Sequence, residues 1–112
     1  MSKERVLAVS LEEYNQIKNF GKTWLIRDKD TNVIGEVFVS IRGTKEIVGI
    51  LTIHGSRSLN PTEFKKSTNK HLDTSSTTEV VYAWVIGRLE EIGSIPYKGH
   101  AKGTNFKWIN TN

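Results

Sequence analysis

Two short segments carry the side chains best suited to chemistry. The first is Gly21-Lys22-Thr23-Trp24-Leu25-Ile26-Arg27. On a strand, Lys22, Trp24 and Ile26 share one face while Thr23, Leu25 and Arg27 share the other. Lys22 falls where a helix gives way to the strand, so local twist can turn it toward a cleft. An indole between two cations fits two arrangements. The ring can stack on a base while the cations meet phosphate or carbonyl oxygens, or it can lie in a core with the cations facing solvent. The second segment is Tyr82-Ala83-Trp84, two large aromatics on one strand face. Such a pair packs a core or lines a cleft that selects a planar ligand.

Charge adds a third signal. Sixteen basic residues against twelve acidic give a net charge of +4, a balance that favours a polyanionic partner. Two stretches are short of acid. Arg57 to His71 holds Arg57, Lys65, Lys66 and Lys70 against Glu63 alone, and Ile92 to Asn112 holds Lys98, Lys102, Lys107 and His100 with no acid. They read either as one basic face or as two ordinary solvated surfaces.

Other chemistries fail on spacing. His54, His71 and His100 are too far apart for a local metal motif, and each reads as a surface or satisfied histidine. Asp28-x-Asp30-x-Asn32 begins like a calcium loop, but Val33 stands where the turn needs glycine and Val39 where a bidentate glutamate is needed. No phosphate-binding glycine loop or dinucleotide fingerprint is present. The adjacent pairs Glu12-Glu13 and Glu90-Glu91 need not face each other. There is no cysteine, which removes disulfides, thiolate metal sites and cysteine nucleophiles. No cofactor and no metal are expected.

The elements that position these residues follow from the apolar pattern. A length of 112 residues fits one domain, and hydrophobic residues at 37% with charged residues at 25% are the proportions of a globular chain. Val6 to Val9 reads as a buried strand. Ser10-x-x-Glu13 has capping-box spacing, and Leu11, Tyr14 and Ile17 follow at helical intervals, with Gly21 as the stop. Strands are expected at Thr23–Arg27, Glu36–Ile41, Ile47–Ile53, Val80–Ile86 and Phe106–Ile109. A second helix is expected from Asn60, with Pro61 at its first position, Glu63 completing a capping box, and Leu59 and Phe64 forming a hydrophobic staple, ending near His71. The order β-α-β-β-β-α-β-β argues for an α+β domain, a mostly antiparallel curved sheet or barrel with helices packed on it. The N-terminus lacks a signal-peptide pattern and no apolar run is long enough to span a bilayer, so a cytoplasmic protein without a membrane partner is expected.

Together the segments resemble an ASCH domain of the PUA-like superfamily, over most of the chain from about Ile17 to Trp108. Gly21-Lys22-Thr23-Trp24-Leu25-Ile26-Arg27 is similar to the G-x-K-x-x-E-x-R signature, keeping its lysine-to-arginine spacing with Gly21 one place closer to the lysine. Gly35-Glu36-Val37-Phe38-Val39 and Ile47-Val48-Gly49 look like the next two strands. Tyr82-x-Trp84 looks like the family's Y-x-W strand. Pro96-Tyr97-Lys98-Gly99-His100-Ala101-Lys102-Gly103 with Trp108 looks like its ending. The resemblance implies one PUA-like β-barrel domain over 1–112 with two flanking helices, and a cleft beside the signature lysine and arginine. It also implies RNA binding, recognition of a modified base, or hydrolysis of RNA or an acylated nucleoside. The signature acid is replaced by Leu25, which takes no proton and holds no water. That shifts the balance from enzyme to binding module. The expected ligand is RNA or a nucleotide-like molecule, bound by Lys22, Thr23, Trp24, Arg27, Tyr82, Trp84, Lys98, His100 and Lys102. A small hydrolase and a protein-interaction or inhibitor module are the alternatives. Oligomeric state is not legible.

Overall fold

The computed structural model describes the backbone of residues 2–75, 77–96, 99–102 and 106–111, and side chains over 5–75 and 77–96. The elements run β1 (Ser2–Val9), α1 (Leu11–Asn19), β2 (Trp24–Arg27), β3 (Gly35–Ile41), β4 (Glu46–Leu59), α2 (Pro61–Lys66), α3 (Thr68–His71), β5 (Val81–Pro96), β6 (Gly99–Lys102) and β7 (Phe106–Thr111). They form one mixed sheet in the order β2-β5-β4-β3-β1-β7-β6, curled into a half-barrel. β1 pairs parallel with β3, and every other pairing is antiparallel. The expected α+β class and mostly antiparallel sheet are what the chain adopts.

Both helix starts follow their local chemistry. Ser10 Oγ accepts from the Glu13 N–H at 3.0 Å and the Glu13 carboxylate accepts from the Ser10 N–H at 3.0 Å. Asn60 and Glu63 make the same reciprocal pair at 2.8 and 3.0 Å. Leu59 and Phe64, the two residues of the staple, are buried together. The second helix does not run unbroken to His71. It stops at Lys66, turns at Ser67 and resumes as α3. Ser67 Oγ donates to the Glu63 carbonyl at 2.7 Å, a side-chain bond to the preceding turn that bends helices.

Strands β4 and β5 exceed their expected lengths. The run His54-Gly55-Ser56-Arg57-Ser58 lacks apolar alternation, so the sequence hides its strand character. The register against β5 shifts between Ile53 and Gly55, and Gly55 has φ +150, a value suited to glycine. This bulge lets β4 continue and carries Arg57 to the end of the sheet near α2. Strand β6 has the sequence Gly-His-Ala-Lys, which carries no apolar alternation to announce it.

Alternation along β2 and β5 feeds two cores on opposite faces. Leu25 and Trp84 join Leu7, Val9, Tyr14, Val39, Leu51 and Ile53 beneath α1. Trp24 and Ala83 join Leu59 and Phe64 beneath α2.

Candidate functional site

The site lies where α1, the start of β2 and the turn after α3 meet. The last turn of α1 closes when the Phe20 N–H donates to the Gln16 carbonyl at 3.0 Å, and Gly21, at φ +73, turns the chain back. The Lys22 N–H then donates to that same Gln16 carbonyl at 3.1 Å. This places the Lys22 side chain inward, only 5% exposed, with its ammonium donating to the His71 carbonyl. Burial pulls the Lys22 amine below its ordinary value and Arg27 pushes the same way. The carboxylates of Glu13, Asp73 and Glu12 draw it back only in part.

Asp73 lines the cleft as well, and His71 holds it in place from behind. His71 is fully buried and stacks on Phe64, ring centres 4.3 Å apart and 14° from parallel. Its Nδ1 accepts from the Asp73 N–H at 3.0 Å, which leaves the proton on Nε2, 2.7 Å from the Phe64 carbonyl. Burial raises the Asp73 carboxyl, but hydrogen bonds from Ser75 and the charge of Lys22 outweigh it and leave it below its ordinary value.

Arg27 and Glu13 form the support beneath. The Arg27 guanidinium meets the two Glu13 oxygens at 2.6 and 3.2 Å. It also donates to the carbonyls of Ile26 at 2.9 Å and Ala8 at 3.4 Å, and sits 5.9 Å from the Trp84 ring centre. Burial raises the Glu13 carboxyl, yet the Arg27 hydrogen bonds and charge, with the Ser10 N–H and Lys22, hold it below its ordinary value.

Ser10, Glu12, Glu13, Gln16, Lys22, Ile26 and Asp73 enclose a cleft of about 210 Å³. It opens on two larger grooves. One, of about 620 Å³, shares Glu12 and Gln16 with it and adds Leu11, Asn15, Phe20 and Leu72. The other, of about 780 Å³, shares Asp73 and runs along Phe64, Lys65 and Thr68 to Thr77. Glu12, Gln16 and Asp73 are thus the residues through which the cleft neighbours the two grooves.

The residues expected to bind ligand divide accordingly. Lys22 lines the cleft and Arg27 braces it from behind, committed to Glu13 and backbone carbonyls. Trp24 is buried, and the cations beside its ring are Arg57 at 5.4 Å and Lys70 at 4.8 Å from the ring centre, in place of Lys22 and Arg27. Trp84 is 1% exposed and its Nε1 donates to the Lys29 carbonyl at 2.9 Å, so it packs the core and offers no stacking face. Tyr82 is half-buried against the same core. Thr23 is exposed, and its backbone ties β2 to α3 and β5 through the Lys70 carbonyl and the Ile86 N–H, both at 2.9 Å. Lys98 and the side chains of His100, Lys102 and Lys107 lie outside the described residues.

In sequence Glu13 reads as a capping residue and as one of an adjacent acidic pair, His71 reads as a surface or satisfied histidine, and Asp73 carries no local signal. The capping box marked Glu13, but nothing local pairs it with Arg27. Among the described residues, no group of three or more side chains is arranged to hold a metal ion, and no helix is long and apolar enough to cross a membrane.

Solved structures with this architecture include the ASCH protein of Zymomonas mobilis. It is 14% identical, with a TM-score of 0.68 over 83% of this chain and 73% of that one. A serine-to-alanine variant of that protein gives the same figures. A tyrosine-to-phenylalanine variant gives 15% identity and a TM-score of 0.67 over 85% and 76%. No family model and no curated protein sequence matches the chain. The likeness is therefore one of fold. The chain has the ASCH-domain fold, the one its signature segment and Tyr82-x-Trp84 strand resemble.

Proposed function

We propose that this chain is a nucleic-acid-binding module that takes one base, plain or modified, into the Lys22 cleft. The strand's backbone then runs over the cations of β4, α2 and α3. The observation that carries this reading is the Lys22 cleft itself. Its ammonium is held inward at one side of a small space whose other polar groups are acceptors or amides, namely Ser10, Glu12, Glu13, Gln16 and Asp73. A planar base with carbonyl oxygens and amino groups on its edge matches that mixture. A phosphate does not, because three carboxylates line the space. At about 210 Å³ the cleft is smaller than the roughly 300–1,000 Å³ of drug-sized sites, so it suits a base without its sugar.

Phosphates find their partners outside. Arg57, Lys65, Lys66 and Lys70 are exposed along β4, α2 and α3, and Lys65 lines the groove that shares Asp73 with the cleft. Arg57 pairs with Glu63 only at 3.5 Å, an exposed contact worth little. Lys98, His100, Lys102 and Lys107 add to the sequence-independent attraction in this reading. Arg27 acts by holding Glu13, and so the cleft wall, in place.

The test is a titration of the chain with short RNA and DNA oligomers at several salt concentrations, followed by tryptophan fluorescence. Lys22→Met is expected to weaken binding without changing the slope of log K against log salt. Lys65→Ala/Lys70→Ala is expected to weaken it and flatten that slope by about 1 to 2. Binding that is indifferent to both variants, or no binding to any oligomer, would refute the proposal.

A second reading is a small hydrolase acting on RNA or an acylated nucleoside. The lowered Lys22 amine beside carboxylates favours it. Leu25 counts against it, because it is fully buried in the core and supplies no nucleophile or acid. Turnover abolished by Lys22→Met would establish this reading instead.

A further inference from the structure

Phe20 is 70% exposed at the end of α1. Nothing in the helix termination needs a ring at this position. The cap at this position is made by the Phe20 backbone, which any residue could supply. Phe20 lies in the 620 Å³ groove with Leu11 and Leu72, a groove that shares Glu12 and Gln16 with the Lys22 cleft.

We propose that Phe20 is a stacking platform for the base adjacent to the one held by Lys22, so that the ligand is a strand of at least two nucleotides and not a free nucleoside. This rests on the reading of the Lys22 cleft as a base site. Three observations point to a nucleobase as the occupant. First, the groove and the cleft share Glu12 and Gln16 in their walls, so they are neighbours that one covalent ligand could bridge. Second, the groove's lining mixes apolar Leu11, Phe20 and Leu72 with polar Glu12, Asn15 and Gln16. These are hydrogen-bonding groups that an apolar protein side chain would leave unpaired, and that a base edge can satisfy. Third, a cleft of about 210 Å³ has room for a base but not for its sugar, so in this reading the sugar and the next residue lie outside it, and this groove is one of the two that share lining residues with it. Stacking on a single aromatic tolerates any base, so Phe20 sets the requirement for a strand while the Lys22 cleft sets the choice of base.

The experiment compares a mononucleoside, a dinucleotide and a dinucleotide with an abasic sugar in place of the flanking base, in both RNA and DNA forms. Each is titrated against wild type, Phe20→Ala, Phe20→Trp and Lys22→Met, with thermal melts to confirm that all remain folded. Stacking is worth roughly 1–3 kcal/mol per base. Phe20→Ala should therefore weaken the intact dinucleotide between about fivefold and a hundredfold, leave the mononucleoside and the abasic ligand unchanged, and be rescued by Phe20→Trp. If Lys22→Met weakens the dinucleotide but Phe20→Ala does not, the stacking proposal is overturned while the base site stands. If no ligand binds, or Lys22→Met changes nothing, both fall. Binding of apolar peptides at this groove in preference to any nucleotide would also overturn it.

Discussion

Replacing Glu13 by alanine removes three things at once. Arg27 loses a two-pronged partner at 2.6 and 3.2 Å, the Ser10 N–H loses its acceptor, and Lys22 loses a neighbouring negative charge. The Arg27 side chain is 7% exposed and that of Glu13 is 18% exposed, so the guanidinium cannot simply turn to water. Removing one partner of a buried pair costs about 3–5 kcal/mol, mostly for the charge left behind. Arg27 keeps its bonds to the Ile26 and Ala8 carbonyls, which places the cost near the lower end, at about 3 kcal/mol. Loss of half the capping box adds up to about 1 kcal/mol. For a domain of this size each kcal/mol moves Tm by about 4 °C, so thermal unfolding followed by circular dichroism should show a drop of roughly 12–16 °C. The double variant Glu13→Gln/Arg27→Met should recover much of the loss, because it leaves no buried charge unpaired. The pH dependence has a definite sign. The Glu13 carboxyl in the folded chain lies below its ordinary value of 4.5. Its contribution is thus complete above that value and disappears as the pH falls through the folded one. The gap between wild type and Glu13→Gln should narrow as the medium is made more acid than about pH 4.5. A single variant that costs under about 1 kcal/mol, or a gap that widens in acid, would refute the buried-brace account of this pair.

His71→Leu keeps the volume against Phe64 but leaves the Asp73 N–H without its acceptor. It should cost about 2 kcal/mol, read as a lower denaturant midpoint at constant m-value, and an unchanged midpoint would show that the histidine does not hold the turn after α3. Asn60→Ala removes the cap of α2 and should cost about 1 kcal/mol. Guanidinium unfolding measures it, and a change within error would mean that the hydrophobic staple alone fixes the start of the helix.

How much could be read in advance depended on how local the cause was. The two capping boxes, the staple of Leu59 and Phe64, and Gly21 as the helix stop each rest on groups a few residues apart, and all are found in the fold. The strands with clear alternation, β3 and the first half of β4, were equally legible. The second half of β4 was not, because His54 to Ser58 carries no apolar alternation and the strand exists through its pairing with β5. The break at Ser67 and the strand β6 were missed for a like reason, since no pattern of side chains announces them.

The sequence by itself determined the capping boxes, the placement of Trp24 and Leu25 on opposite faces of their strand, and the signature spacing from Lys22 to Arg27. The partners of those residues were decided only in three dimensions. Strand periodicity says that Trp24 and Arg27 face opposite ways, but not which helix covers each face. The tertiary structure put α2 and α3 over Trp24, so that its cations are Arg57 and Lys70. It put α1 over Arg27, which spends that residue on Glu13. Lys22 is the case that joins the two levels. A glycine two residues after the helix turned it inward, which sequence can express. Its place in a cleft with Asp73, fifty-one positions along the chain, came from packing α3 against β2, because burial and charge pairing act through space and leave no periodic trace along the chain.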